Sequence, residues 1–117
     1  MKSNEILENA LRSVDEKKAE NIVALNMQGI STMADFFIIA SGQSYKQVQS
    51  IAREVRKNAL ENEYEVKRME GFDEGKWVLI DIGDVIVHVF HEEERMYYNL
   101  EKLWGDAPEV EIKKVLS

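Results

Sequence analysis

Residues 75–90 read GKWVLIDIGDVIVHVF, two β-rich runs, Lys76 to Ile82 and Val85 to Phe90, separated only by Gly83-Asp84. A glycine followed by an aspartate suits a two-residue type II′ or I′ turn, so the stretch is predicted to be a tight hairpin. That turn sets Ile82 opposite Val85, Ile80 opposite Val87 and Val78 opposite Val89, six aliphatic side chains on one face that must be core. The other face then carries Trp77, Leu79 and Asp81 from the first strand and Ile86, His88 and Phe90 from the second. Trp77 faces Phe90, Leu79 faces His88, and Asp81 faces Ile86 while lying diagonal to His88. A dry core tolerates this mixture poorly and a solvated face has no need of it, whereas aromatic anchors beside a few polar groups are usual at protein interfaces. Two readings stay open: the last helix covers the face, burying Trp77 and Phe90 with Asp81 and His88 as a satisfied pair at its edge, or part of it binds a partner.

Upstream of the hairpin, Ile6, Leu7, Ala10, Leu11 and Val14 recur at helical spacing within residues 3–17, with Ser3 or Asn4 available as the N-cap. Ala19 to Asn26 and Phe36 to Ala40 are apolar runs suited to strands buried on both faces, and Gly29 with Ser31-Thr32 marks their connection. Ser44 followed by Gln47 is a capping-box pattern, and Val48, Ile51, Ala52, Val55 and Ala59 form the apolar stripe of a helix over about 45–62. Tyr64 to Met69 alternates like a half-exposed strand, and Gly71 to Gly75 is a loop. Glu92 to Trp104 is predicted as the closing helix, with three acids in its first turn and Gly105 as its stop. The pattern predicts one α/β domain over 1–107, a mixed sheet of about five strands packed by helices in the order α-β-β-α-β-β-β-α. Residues 108–117 are left as a short tail free to be loose.

The 117 residues are 44% hydrophobic and 32% charged, which excludes a disordered chain. Apolar runs such as Phe36 to Ala40 fall far short of the roughly 20 residues needed to cross a bilayer. The first 20 residues carry acids throughout and lack the apolar segment of a secretory signal. With no cysteine, disulfides, thiol nucleophiles and thiolate metal sites are excluded, which fits a reducing cytoplasm. The net charge of −7 is uneven: residues 1–58 hold eight Lys/Arg against seven Asp/Glu, and residues 59–117 hold seven against fifteen. An acidic second half repels phosphate backbones, so it is expected to make no direct, affinity-dominating nucleic-acid contact and to welcome a basic protein.

Candidate chemistry is thin. Gly42-Gln43-Ser44 lies between a strand and a helix like a phosphate-cradling turn, yet neither G-x-G-x-x-G nor a P-loop is present. Asp81 and Asp84 do not share a strand face as two metal carboxylates should, because Asp84 falls in the turn. His88 and His91 sit three apart on an extended segment and point to opposite faces. No serine lies in a nucleophile-elbow pattern. The residues point to no catalytic group, no metal and no cofactor.

Two blocks, DFFIIASGQSYKQ over 35–47 and GKWVLIDIGDVIVHVFHEEERMYYNLEKLWGDA over 75–107, closely resemble the ribosomal silencing factor family, also called the Iojap-related family. The resemblance spans residues 3–107, and the tail carries no matching motif. It implies a mixed α/β fold similar to nucleotidyltransferases but without their catalytic acids, and a translation repressor of the cytoplasm rather than an enzyme. It further implies binding to the large ribosomal subunit at ribosomal protein fourteen, with steric exclusion of the small subunit, and it allows a homodimer in the free state. Carried onto this chain, the family's shared surface residues are Trp77, Leu79, Asp81, Asp84, His88 and Phe90, with Arg95, Tyr98 and Trp104 from the closing helix. The competing expectation is a small nucleotidyltransferase-like enzyme that uses the 42–44 turn for a nucleotide and Asp81 with Asp84 for its metal.

Overall fold

The hairpin forms in the predicted register. In the computed structural model, which describes residues 2–98, 105 and 107–116, the Ile82 N–H donates to the Val85 carbonyl at 2.9 Å. Gly83 sits at φ +83°, a left-handed conformation that a glycine adopts without a Cβ penalty. Strands β4 (Trp77–Asp81) and β5 (Val85–His91) pair antiparallel with Trp77 opposite Phe90, Leu79 opposite His88 and Asp81 opposite Ile86.

The other elements are α1 (Lys2–Glu16), β1 (Glu20–Asn26), β2 (Phe36–Gly42), α2 (Tyr45–Glu61), β3 (Arg68–Glu70), α3 (Glu92–Tyr98) and α4 (Lys113–Leu116). The sheet order is β1-β2-β5-β4-β3, with β2 and β5 as the one parallel pair at its centre and the other neighbours antiparallel. β2 is buried along its whole length. Phe36, Ile38 and Ala40 point to one face with Val78, Ile80, Ile82, Val85, Val87 and Val89, where the apolar stripes of α1 and α2 cover them. The six predicted hairpin aliphatics therefore share one core, as the two-residue period requires.

α2 starts at the predicted cap, since Ser44 Oγ accepts from the Gln47 N–H at 3.1 Å. The reciprocal half is displaced by one residue: the Gln47 side chain accepts from the Gln43 N–H at 2.6 Å rather than from Ser44.

Three expectations are corrected. β1 is an edge strand whose first four residues are half-buried or exposed, because its outer side has no full strand beside it. The strand expected over Tyr64 to Met69 pairs only at Arg68–Glu70. Tyr64 is still finishing the helix, its N–H donating to the Ala59 carbonyl at 2.9 Å after Glu63 turns back at φ +64°. The tail is tied down rather than loose. Asn26 N–H donates to the Pro108 carbonyl and Val110 N–H to the Ala24 carbonyl, each at 2.8 Å, so the tail covers part of the β1 edge. Val110, Ile112, Val115 and Leu116 then pack on the first core.

Candidate partner-binding face

The second face of the sheet is a smaller core in its own right. Phe37 and Ile39 of β2, Ile86 and Phe90 of β5, and Leu25 of β1 are buried there with Met27, Ala34 and Ala107. Phe90 is fully buried and His88 is 4% exposed, so these two carried-over residues lie beneath the accessible surface and support the face from below. Trp77 and Leu79, on the neighbouring strand, pack against this core while remaining half-buried.

Trp77 is held in place from two directions. Its ring stacks on Phe90 with centroids 4.9 Å apart and an interplanar angle of 29°. Its Nε1–H donates to His88 Nδ1 at 3.2 Å, and Phe37 meets the same imidazole edge-on at 5.2 Å. Burial pushes the His88 pKa down to about 4, so the ring is neutral near pH 7 and its Nδ1 lone pair is available to accept. Behind Trp77, Gly71 at φ +80° lets the 71–75 loop pass so close that a Cβ there would collide with the Trp77 carbonyl oxygen.

The two aspartates play different parts. Asp81 is not paired with His88: its Oδ1 accepts from the Gly83 N–H at 2.9 Å, and its Oδ2 lies 3.4 Å from Arg68 Nε on β3. Asp81 thus braces the turn. Asp84 is exposed at the tip, and its carbonyl accepts from Asp35 and Phe36 N–H at 2.8 and 3.1 Å, pinning the turn to the start of β2. Arg95 is also buried, at 9% exposure. It donates to Ser41 Oγ at 2.6 Å and more weakly to the Glu20 carbonyl at 3.5 Å, which fastens α3 to the sheet. The side chain of Tyr98, like the whole of Trp104, lies outside the described residues.

Residues missing from the sequence reading are Ile30 and Met33, 51% and 62% exposed. They sit in the β1–β2 loop between Met27 and Ala34, both anchored in the second core, so the loop rims the same face. The signal was the Met27/Ile30/Met33 spacing inside a stretch otherwise read as a polar connection. The accessible part of the face is therefore Trp77 and Leu79 in the middle, Asp81 and Asp84 at one end and an apolar loop beside them. Among the described residues no group of three His, Asp or Glu side chains is arranged to hold a metal. No helix among them is long and apolar enough to cross a membrane.

Comparisons with known proteins identify the family. The family model for "Ribosomal silencing factor during starvation" matches residues 1–117. A ribosomal silencing factor RsfS from Halalkalibacterium halodurans is 61% identical over 117 residues, covering 100% of both chains. Another from Bacillus subtilis is 61% identical over 108 residues, 92% of each chain. Among solved structures, a protein from Bacillus halodurans superposes with a TM-score of 0.84 at 59% identity, covering 92% of this chain and 98% of that one. A Chromobacterium violaceum protein gives a TM-score of 0.87 at 34% identity over 90% of this chain and 88% of that one. The chain belongs to the ribosomal silencing factor family, which makes it a ribosome-associated silencer of translation.

Proposed function

We propose that this chain silences translation by occlusion: it binds the large ribosomal subunit at ribosomal protein fourteen and its bulk keeps the small subunit from joining. The observation that carries the reading is Trp77, an aromatic side chain locked on Phe90 and His88 yet half-exposed. A rigid aromatic beside Leu79 and carboxylates suits a basic ribosomal protein, because little side-chain entropy is lost on binding and opposite charge speeds the encounter. A standard interface needs only about 800 Å² per partner, and the described surface of the chain totals 6856 Å². No catalytic step is required, and the site of action is the cytoplasm. The same apolar face is suited to pairing with a second copy when the protein is free.

The enzymatic alternative finds no geometric support. Asp81 is already engaged by Gly83 and Arg68, and in the 42–44 turn the Gln43 N–H is taken by the Gln47 side chain while Ser44 Oγ accepts from the Gln47 N–H.

The test is cosedimentation with purified large subunits, with and without small subunits. Folded Trp77→Ala protein is expected to lose about 2–4 kcal/mol of binding, roughly 30- to 1,000-fold in affinity. Wild-type affinity together with an intact block of subunit joining would show that this face is not the interface.

A further inference from the structure

The opposite side of the molecule carries a different charge. α1 and α2 run antiparallel across the first core, with Asn58 donating to Ser13 Oγ at one end and Gln47 reaching the Lys18 carbonyl at the other. Between them, Lys17, Ser50, Arg53, Glu54, Arg56 and Lys57 line a groove of about 310 Å³. Four cations in one groove stand out on a chain whose net charge is −7.

The acids nearby offset part of this charge. Glu16 and Glu54 face each other across the helix pair, which raises the Glu16 pKa and lowers that of Glu54, and the charges of Lys17 and Lys57 act on both carboxyls. Arg53, Arg56 and Lys57 enter no ion pair within 4.0 Å among the described residues. Asp73 and Glu74 occupy the neighbouring loop, whose carbonyls at 72 and 73 are held by Gln49 Nε2. The Arg53 guanidinium is placed over the Phe72 ring, 5.4 Å from its centroid, so it is oriented before any ligand arrives.

We propose that this groove takes the phosphate backbone of duplex RNA as a second, electrostatic contact beside the protein contact made through Trp77, a proposal that rests on the reading of the chain as a ribosome-bound silencer. Arg53 to Arg56 and Lys57 is a step of three to four residues, about 4.5–6 Å along a helix, so these side chains can meet successive phosphates of one strand. Guanidinium forks match phosphate oxygens two at a time, which favours phosphate over a partner read only by charge. The sheet separates this groove from the Trp77 face, so the surface that touches Trp77 is not the one that touches Arg56.

The experiment compares wild type with the triple variant R53Q/R56Q/K57Q, glutamine being a good helix former, after melting and circular dichroism have established that both are folded. Binding is measured to purified large subunits between about 50 and 200 mM salt and, separately, to a labelled 20-bp RNA duplex. The triple variant is expected to lower the magnitude of the slope of log K against log salt by about 2–3 and to lose the weak duplex binding seen at low salt. Trp77→Ala, by contrast, should lower subunit affinity with the slope unchanged. An unchanged slope and unchanged duplex binding in the triple variant would overturn the proposal, and so would polyglutamate displacing the duplex as well as unlabelled RNA does, which would assign the groove to an acidic protein. Failure of wild type to bind subunits at all, with duplex binding intact and groove-dependent, would count against the occlusion reading while leaving the phosphate site standing.

Discussion

The indole N–H of Trp77 donates to Nδ1 of His88 at 3.2 Å, a bond between an accessible side chain and a buried one on the next strand. It fixes the orientation of the indole, with Nε1–H turned inward to His88 and one ring face stacked on Phe90. His88 acts as a positioning residue for Trp77.

That role depends on a neutral imidazole, and it has a pH consequence. The His88 pKa falls from 6.5 to about 4 on burial, so between these values the unfolded chain binds a proton that the folded chain does not. Stability is therefore complete above about pH 6.5 and is lost as pH falls toward 4, by roughly 2 kcal/mol between pH 7 and 5. Urea melts of wild type and His88→Gln at both pH values should show the variant losing less by about that amount. Equal losses in the two proteins would show that His88 is not the titrating group.

The two faces of the hairpin can be separated by stability alone. Val87 is fully buried in the first core, so Val87→Ala should cost about 1–3 kcal/mol through the cavity it leaves. Asp84 contributes to the turn with its backbone while its side chain is exposed, so Asp84→Ala should stay within about 0.5 kcal/mol of wild type. Thermal melts that reversed this order would invert the face assignment.

How far the fold could be read depended on whether local chemistry decided it. Gly83-Asp84 fixes the β4–β5 register without outside help, so the pairing of Trp77 with Phe90 was legible. The edge position of β1 was not, because Ile22 to Leu25 has the same apolar run as a central strand and only the sheet order distinguishes them. Asp81 was matched with His88 on a diagonal, whereas its partner Arg68 arrives from β3 in a register set by the 71–75 loop. The site was legible as a face but not in its depth. His88 and Phe90 sit on the central β5 and are buried, while Trp77 and Leu79 on β4 stay half-exposed, and alternation along a strand carries no information about that difference.

The docked tail should matter for stability. A stop after Ala107 removes Val110, Ile112, Val115 and Leu116 from the first core and two backbone hydrogen bonds from the β1 edge. Partial burial of four aliphatic side chains is worth about 2–4 kcal/mol, which should lower Tm by about 10 °C or more in a chain of this size. A melting curve superposable on wild type would mean that the tail contributes nothing to the folded state.

The exposed loop beside the proposed binding face allows a test that leaves the core alone. Met33 is 62% exposed, so Met33→Asp should leave the melting temperature within a few degrees of wild type, as surface changes usually do. If the loop lies in the interface with the large subunit, a carboxylate placed at an apolar contact must be desolvated on binding, and affinity should fall about 10-fold or more, near 1.4 kcal/mol. The loss should appear chiefly as faster dissociation, because the added negative charge favours encounter with a basic partner even as it spoils the contact. Surface plasmon resonance on immobilised large subunits reads both rates. Unchanged dissociation for Met33→Asp, alongside a clear loss for Trp77→Ala, would confine the interface to the strand side of the face and exclude the β1–β2 loop from it.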